Sequence, residues 1–151
     1  MGKWSLLNVP PFCERLIGFS VPVGDRLLAI SYEAVHVLTL GESVVIDTNR
    51  DFAEYDLYDP EKGTAEYNGT IYTIIGLHGG DPLLATSFGA RLELDQAKET
   101  VAVAIGDSIE LMTSYENFSG AWAAATFSPD GLYLLLGCPC DFDFRIWRRT
   151  P

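Results

Sequence analysis

Short apolar runs separated by glycine-bearing polar breaks recur along the whole chain. Leu27-Leu28-Ala29-Ile30, Val35-His36-Val37-Leu38 and Val44-Val45-Ile46 are followed by Thr70-Ile71-Tyr72-Thr73-Ile74-Ile75, Leu83-Leu84-Ala85-Thr86 and Val101-Ala102-Val103-Ala104-Ile105. Each is short and most are rich in β-branched or aromatic residues, the signature of strands. The breaks carry Gly24-Asp25, Gly41, Gly63, Gly79-Gly80-Asp81-Pro82, Gly89, Gly106-Asp107, Gly120 and Gly137, residues that reverse a chain at little steric cost. Asn68-Gly69, set between Ala65-Glu66-Tyr67 and Thr70-Ile71-Tyr72, predicts a tight hairpin, because both residues accept the positive φ of a type I′ turn. No stretch sustains the helical period of about 3.6 residues over three turns. Only Asp51 to Tyr58 has room for a helical turn or two. The pattern predicts an all-β, antiparallel fold: a propeller, a sandwich or a barrel.

The pattern also repeats. An apolar anchor precedes a turn and two further strands at Phe19, Leu57, Leu94 and Phe127, separations of 38, 37 and 33 residues. Leu77, before Gly79-Gly80-Asp81-Pro82 and Leu83-Leu84-Ala85-Thr86, offers a competing anchor. The last unit is the sharpest. It runs Ala125-Thr126-Phe127, Ser128-Pro129-Asp130-Gly131, Leu132-Tyr133-Leu134-Leu135-Leu136-Gly137, then Phe142-Asp143-Phe144-Arg145-Ile146-Trp147-Arg148. Pro129 presets φ for its turn, and Asp130-Gly131 tolerates the sharp reversal.

That last unit resembles one blade of a WD-repeat β-propeller. Phe127-Ser128-Pro129-Asp130-Gly131 is similar to the family's turn between the first two strands, and Ile146-Trp147 to the apolar residue and Trp that end its third. Arg148 stands where the family has Asp, and His78-Gly79 reverses the family's Gly-His. The resemblance extends more faintly over Leu16 to Leu40 and Leu92 to Met112. It implies a propeller-like arrangement of about three to four short blades and a non-catalytic role in binding a protein partner. Blades recur about every 40 residues and rings close with about four to eight. Three arrangements therefore satisfy the edges: a compact ring in one chain, two chains completing one ring as a homodimer, or a sandwich or barrel. Trp4-Ser5-Leu6-Leu7-Asn8 is placed to add an outer strand to the C-terminal unit.

Length and composition fit one domain spanning 1–151, with 48% apolar residues. No run approaches the about 20 apolar residues of a spanning helix, and no export signal is read at the N-terminus. The expected compartment is the cytoplasm, with Cys13, Cys138 and Cys140 as free thiols. A net charge of −11 argues against nucleic acid and against anionic membranes as partners. The charge is concentrated. Glu42, Asp47, Asp51, Glu54, Asp56, Asp59, Glu61 and Glu66 face only Arg50 and Lys62 in the same stretch. Phe52, Tyr55, Tyr58, Tyr67 and Tyr72 lie among or beside them. Carboxylates with tyrosines suit a protein-binding face. The residues expected to touch a basic protein partner are Asp51, Phe52, Tyr55, Asp56, Tyr58, Asp59 and Glu61. The competing expectation is that the charge solubilises the surface and the aromatics fill sheet faces.

Catalytic chemistry is thinly represented. Cys138-Pro139-Cys140-Asp141-Phe142-Asp143 concentrates thiols and carboxylates, but its cysteines are spaced too closely for a zinc pair, and Arg145 falls where a calcium loop needs oxygen. His36 alternates with Val35 and Val37 in a strand. His78, beside Gly79-Gly80-Asp81, is the better candidate base, with Asp81, Ser87 or Cys138 as companions. Gly-x-Ser-x-Gly, phosphate-binding glycine loops with Lys and His-Glu-x-x-His are all missing. The expectation is a non-enzyme without cofactor or metal. Two alternatives remain: a small acidic inhibitor or antidote of a basic effector, and an enzyme or ligand-binding protein centred on His78.

Overall fold

The computed structural model describes residues 3–10, 15–51, 57–77, 79–116, 122–138 and 143–150. The chain is all-β, and every sheet is antiparallel. Its first unit runs β2 (Leu16–Ser20), β3 (Arg26–Ser31), β4 (Val35–Thr39) and β5 (Val45–Asn49), after β1 (Trp4–Leu6). The second is β6 (Tyr58–Asp59), β7 (Thr64–Tyr67) and β8 (Thr70–Gly76). The third is β9 (Ala90–Asp95), β10 (Thr100–Ile105) and β11 (Ser108–Ser114), and the fourth is β12 (Ala124–Phe127), β13 (Tyr133–Cys138) and β14 (Asp143–Arg149). Each group is an antiparallel meander; Phe19, Leu94 and Phe127 lie in the first strand of theirs, while Leu57 precedes β6. The helical turn allowed over Asp51 to Tyr58 falls largely outside the described residues; Leu57 is helical, and Tyr58 begins β6.

Turn chemistry explains the local boundaries. Asn68 and Gly69 adopt φ of 50° and 80°, which lets Tyr67 face Thr70 across the β7–β8 hairpin. After β12, the Ser128 hydroxyl donates to Asp130 Oδ1 at 2.6 Å and accepts from the Tyr133 N–H at 3.0 Å, while the Leu132 N–H donates to Asp130 Oδ1 at 3.0 Å. Two carboxyl and hydroxyl side chains thus satisfy a turn the backbone alone leaves short of partners.

Two departures from the sequence expectation follow from tertiary pairing. First, β8 pairs with β2, so the first two units fuse into one seven-stranded sheet, in the order β5-β4-β3-β2-β8-β7-β6, that curls into a half-barrel. Second, Leu83 to Thr86 is not a strand of any sheet. It is wedged between two strand edges and alternates between them. Leu83 O accepts from the Phe127 N–H at 2.9 Å, and Leu84 O accepts from the Leu92 N–H at 2.8 Å.

The remaining strands form the meander β9-β10-β11 and a four-stranded sheet ordered β1-β14-β13-β12. The N-terminal segment does supply the outer strand: Trp4 pairs with Arg149 and Leu6 with Trp147. This last sheet is a middle layer. Leu134 and Leu136 of β13 pack with Leu92, Val101, Val103 and Phe127 on one side, while Leu135 packs with Phe19, Leu27 and Leu38 on the other. β3 is likewise buried on both faces. Leu27 and Ala29 join that second cluster, and Leu28 and Ile30 join a third with Ile17, Tyr58, Tyr72 and Ile74. Burial on both faces is the reason these strands read as unbroken apolar runs and not as alternating ones.

The β2–β8 junction depends on two glycines set opposite each other, Gly18 and Gly76. A Cβ on Gly76, whose φ is 151°, would lie 2.6 Å from the Ile17 carbonyl oxygen and 2.7 Å from Gly18 Cα. Backbone cannot yield as a flexible side chain does, so Gly76→Ala is expected to destabilise the protein by about 3 kcal/mol in urea unfolding. An unchanged midpoint would show that the two strands do not pair this closely.

Candidate functional site

The acidic segment is spread over the two ends of the curled sheet. Asp51 follows β5 and is exposed, its N–H held by Asn49 Oδ1 at 2.9 Å. Asn49 in turn donates to the Tyr67 hydroxyl at 3.1 Å, which ties the end of β5 to β7 across the mouth of the sheet. Asp59 turns its carboxylate onto its own loop, where Oδ1 accepts from the N–H groups of Glu61 at 3.1 Å and Lys62 at 3.3 Å. It acts as a turn cap. Glu61 is exposed. Phe52, Tyr55 and Asp56 lie outside the described residues. Tyr58 departs from its expected role: it is 3% exposed and packs among Ile17, Leu28 and Ile74. Its side chain belongs to the core because β6 turns it to the concave side already occupied by β3 and β8. Tyr72 is buried beside it, and burial pushes its phenol above the usual range, opposed by Arg26 and reinforced by Asp25 and Tyr67. Between β5 and β8 a polar pocket of about 240 Å³ remains, lined by Arg26, Asp47, Tyr67, Asn68, Thr70 and Tyr72.

A second cluster was not legible in the sequence. β10 and β11 lose register between Val103 and Ala104: Val103 faces Leu111 but Ala104 faces Ile109, leaving Glu110 as an extra residue. Such a bulge re-aims side chains, and here it directs a carboxylate toward the N-terminal strand. Glu110 accepts from Arg149 through both oxygens, at 3.2 and 3.1 Å, and from the Trp4 indole at 3.1 Å. Lys3 adds a longer contact at 3.9 Å. The Arg149 guanidinium also lies 4.4 Å from the Phe88 ring centroid, a cation–π contact. The Arg149 hydrogen bond holds the Glu110 carboxyl below the usual carboxylate range, against the opposing effect of burial. The cluster binds β11, β14, β1 and the loop before β9 together. It is a structural latch.

The third feature is an apolar groove of about 390 Å³ between β9 and β12, with Leu84, Leu92 and Leu94 facing Ala123, Ala124 and Ala125. Trp122 also lines it, stacked on Phe19 at 6.5 Å. The Trp122 indole nitrogen and the Tyr115 hydroxyl are buried without a hydrogen-bond partner among the described residues. The only sequence hint of the groove was the run of small residues after Trp122.

The other candidates are less developed. His36 is buried, with Nδ1 2.8 Å from Thr48 Oγ1 across β4 and β5. Cys138 is fully buried at the end of β13. His78, Cys13, Cys140 and Asp141 lie outside the described residues. Among the described residues no three His, Cys, Asp or Glu side chains group as metal ligands. The chain matches no protein-family model, no curated protein and no solved structure.

Proposed function

We propose that this protein is a non-catalytic interaction module whose acidic face takes a basic protein partner. One observation carries the reading. Among the described residues every ion pair converges on Glu110, while Glu42, Asp47, Asp51, Glu61 and Glu66 are exposed and hold none. Their charge is left for solvent or for a partner, and such a field steers a basic protein toward its docking face. In the same reading the architecture is propeller-like. Four meanders succeed one another, the N-terminal strand completes the last, and the first strands of the third and fourth, β9 and β12, converge on one groove. The shared β2–β8 ladder is the feature by which this arrangement departs from separate blades.

The test removes charge and leaves structure intact. Asp59 is spared because it caps its turn. The variant Asp47→Asn, Asp51→Asn, Glu61→Gln, Glu66→Gln is expected to keep the wild-type thermal midpoint. Wild-type protein immobilised at physiological salt is expected to retain basic proteins, identified by mass spectrometry, that the variant loses. Retention of the same set by both proteins, or of none by either, would sink the proposal.

A further inference from the structure

β9 and β12 each end their sheet, so each carries backbone donors and acceptors on an edge with no neighbouring strand among the described residues. The chain fills one end of the gap between them with its own segment. The Leu83 N–H donates to Thr126 Oγ1 at 2.9 Å, the Phe127 N–H to Leu83 O at 2.9 Å, and the Thr86 N–H to Ala90 O at 3.0 Å. On the Pro82 side of Leu83 no backbone bond among the described residues continues this filling, and the apolar groove opens there. Backbone direction alternates along a strand. Since the Phe127 N–H points out of the sheet toward Leu83, the Ala125 N–H, two residues earlier, points the same way, toward the groove. At Gly80 the groove adjoins a polar pocket of about 360 Å³, which Gly80 also lines together with Glu61, Lys62, Thr73 and Asp81.

We propose that this groove docks an extended apolar segment of the partner, which adds a strand to the β12 edge and sets a basic side chain against Glu61 and Asp81. The inference rests on the acidic-interaction reading and gives its partner a chemistry. Leu83 to Thr86 is the precedent within the molecule, since it shows an extended segment already seated between the same two edges. An added strand gains affinity from main-chain hydrogen bonds and selectivity from the pockets its alternate side chains meet. Here those pockets are Leu84, Leu92 and Leu94 on one wall and alanines on the other, with two carboxylates at one end against one lysine. An apolar segment followed by Lys or Arg matches both halves.

The probe is a random dodecapeptide library displayed on phage and selected against the full chain, with the enriched consensus synthesised and titrated calorimetrically. The expected consensus alternates apolar residues and carries Lys or Arg at one end, and the bound peptide slows amide hydrogen exchange at Ala125. Leu84 is 51% exposed, so Leu84→Lys leaves the thermal midpoint in place while weakening the peptide at least about tenfold, by charging an apolar wall. Glu61→Gln with Asp81→Asn weakens it several-fold and flattens its salt dependence. Absence of any consensus overturns the proposal, and so does a peptide indifferent to Leu84→Lys that leaves Ala125 exchange unchanged. Such a peptide, if still weakened by removing Glu61 and Asp81 charge, would leave the acidic-face reading standing. A peptide lost with Leu84→Lys but untouched by the charge change would uphold the groove and overturn the acidic-face reading.

Discussion

Trp4→Ala is expected to cost about 3–5 kcal/mol of folding stability, the range for removing a large aromatic from a core. Trp4 is 7% exposed, stacks on Phe127 with ring centroids 6.1 Å apart, and donates its indole N–H to Glu110. Domains of this size are stable by only about 5–15 kcal/mol, so one side chain from a three-residue strand decides whether the protein is robust or marginal. Removal of residues 3–9 goes further. It also takes away the Leu7 N–H bond to Ile146 O at 2.9 Å and the Thr150 N–H bond to Lys3 O at 2.7 Å, and it bares the β14 edge. The shortened chain is expected to show no cooperative urea transition at 25 °C. Leu6→Thr is the control, because Leu6 is 60% exposed and its change is expected to stay within about 0.5 kcal/mol. A shortened chain that unfolds at the wild-type urea concentration would show that β1 does not hold the C-terminal sheet.

Glu110→Ala is expected to cost a similar amount, about 3–5 kcal/mol, for a different reason. It leaves the Arg149 guanidinium, whose side chain is 13% exposed, without its carboxylate, and it orphans the Trp4 N–H; stranding one member of a buried pair costs more than the pair contributes. Glu110→Gln keeps the shape and one acceptor and is expected to cost less. Lys3 is mostly exposed and sits farther away, so Lys3→Ala is expected to change stability by less than about 0.5 kcal/mol. The acid dependence has a definite sign. Arg149 first, and then Trp4, depress the folded carboxyl below its ordinary value of 4.5. Its stabilisation is therefore complete above that value and is lost as pH falls through the lower folded one. The stability gap between wild type and Glu110→Gln, measured by urea unfolding from pH 7 to pH 3, is expected to hold steady at first and then narrow below about pH 4.5. A gap that stayed constant to pH 3 would show that Arg149 does not engage the ionised carboxylate.

Much of the secondary structure was legible because it is set over a few residues. Asn68-Gly69 specifies its hairpin through backbone φ, and Ser128 with Asp130 specifies the β12–β13 turn through side chains that reach only a few residues. The outer strand from Trp4 was legible for the same kind of reason, an apolar segment matched to an unpaired edge. A tyrosine beside carboxylates reads alike whether its ring faces solvent or the concave side of a sheet, and Tyr58 is turned into the core. Leu83-Leu84-Ala85-Thr86 read as a strand, and it is extended, but its hydrogen bonds divide between β12 and β9. Glu110 gave no signal, since a bulge is a mismatch between two strands and neither strand shows it alone.

The sequence by itself determined that the described fold is all-β and antiparallel, where its hairpins turn, and that its acid is concentrated between Glu42 and Glu66. Only the tertiary structure decided that β8 joins β2 in one curled sheet, that the C-terminal sheet lies between two cores, and that β9 and β12 are left facing across a groove. The physical reason is range. Turn chemistry and residue period act within a few residues and are written locally. An edge strand offers the same N–H and C=O groups to any neighbour, so which edge it meets is settled by packing between residues far apart in the chain.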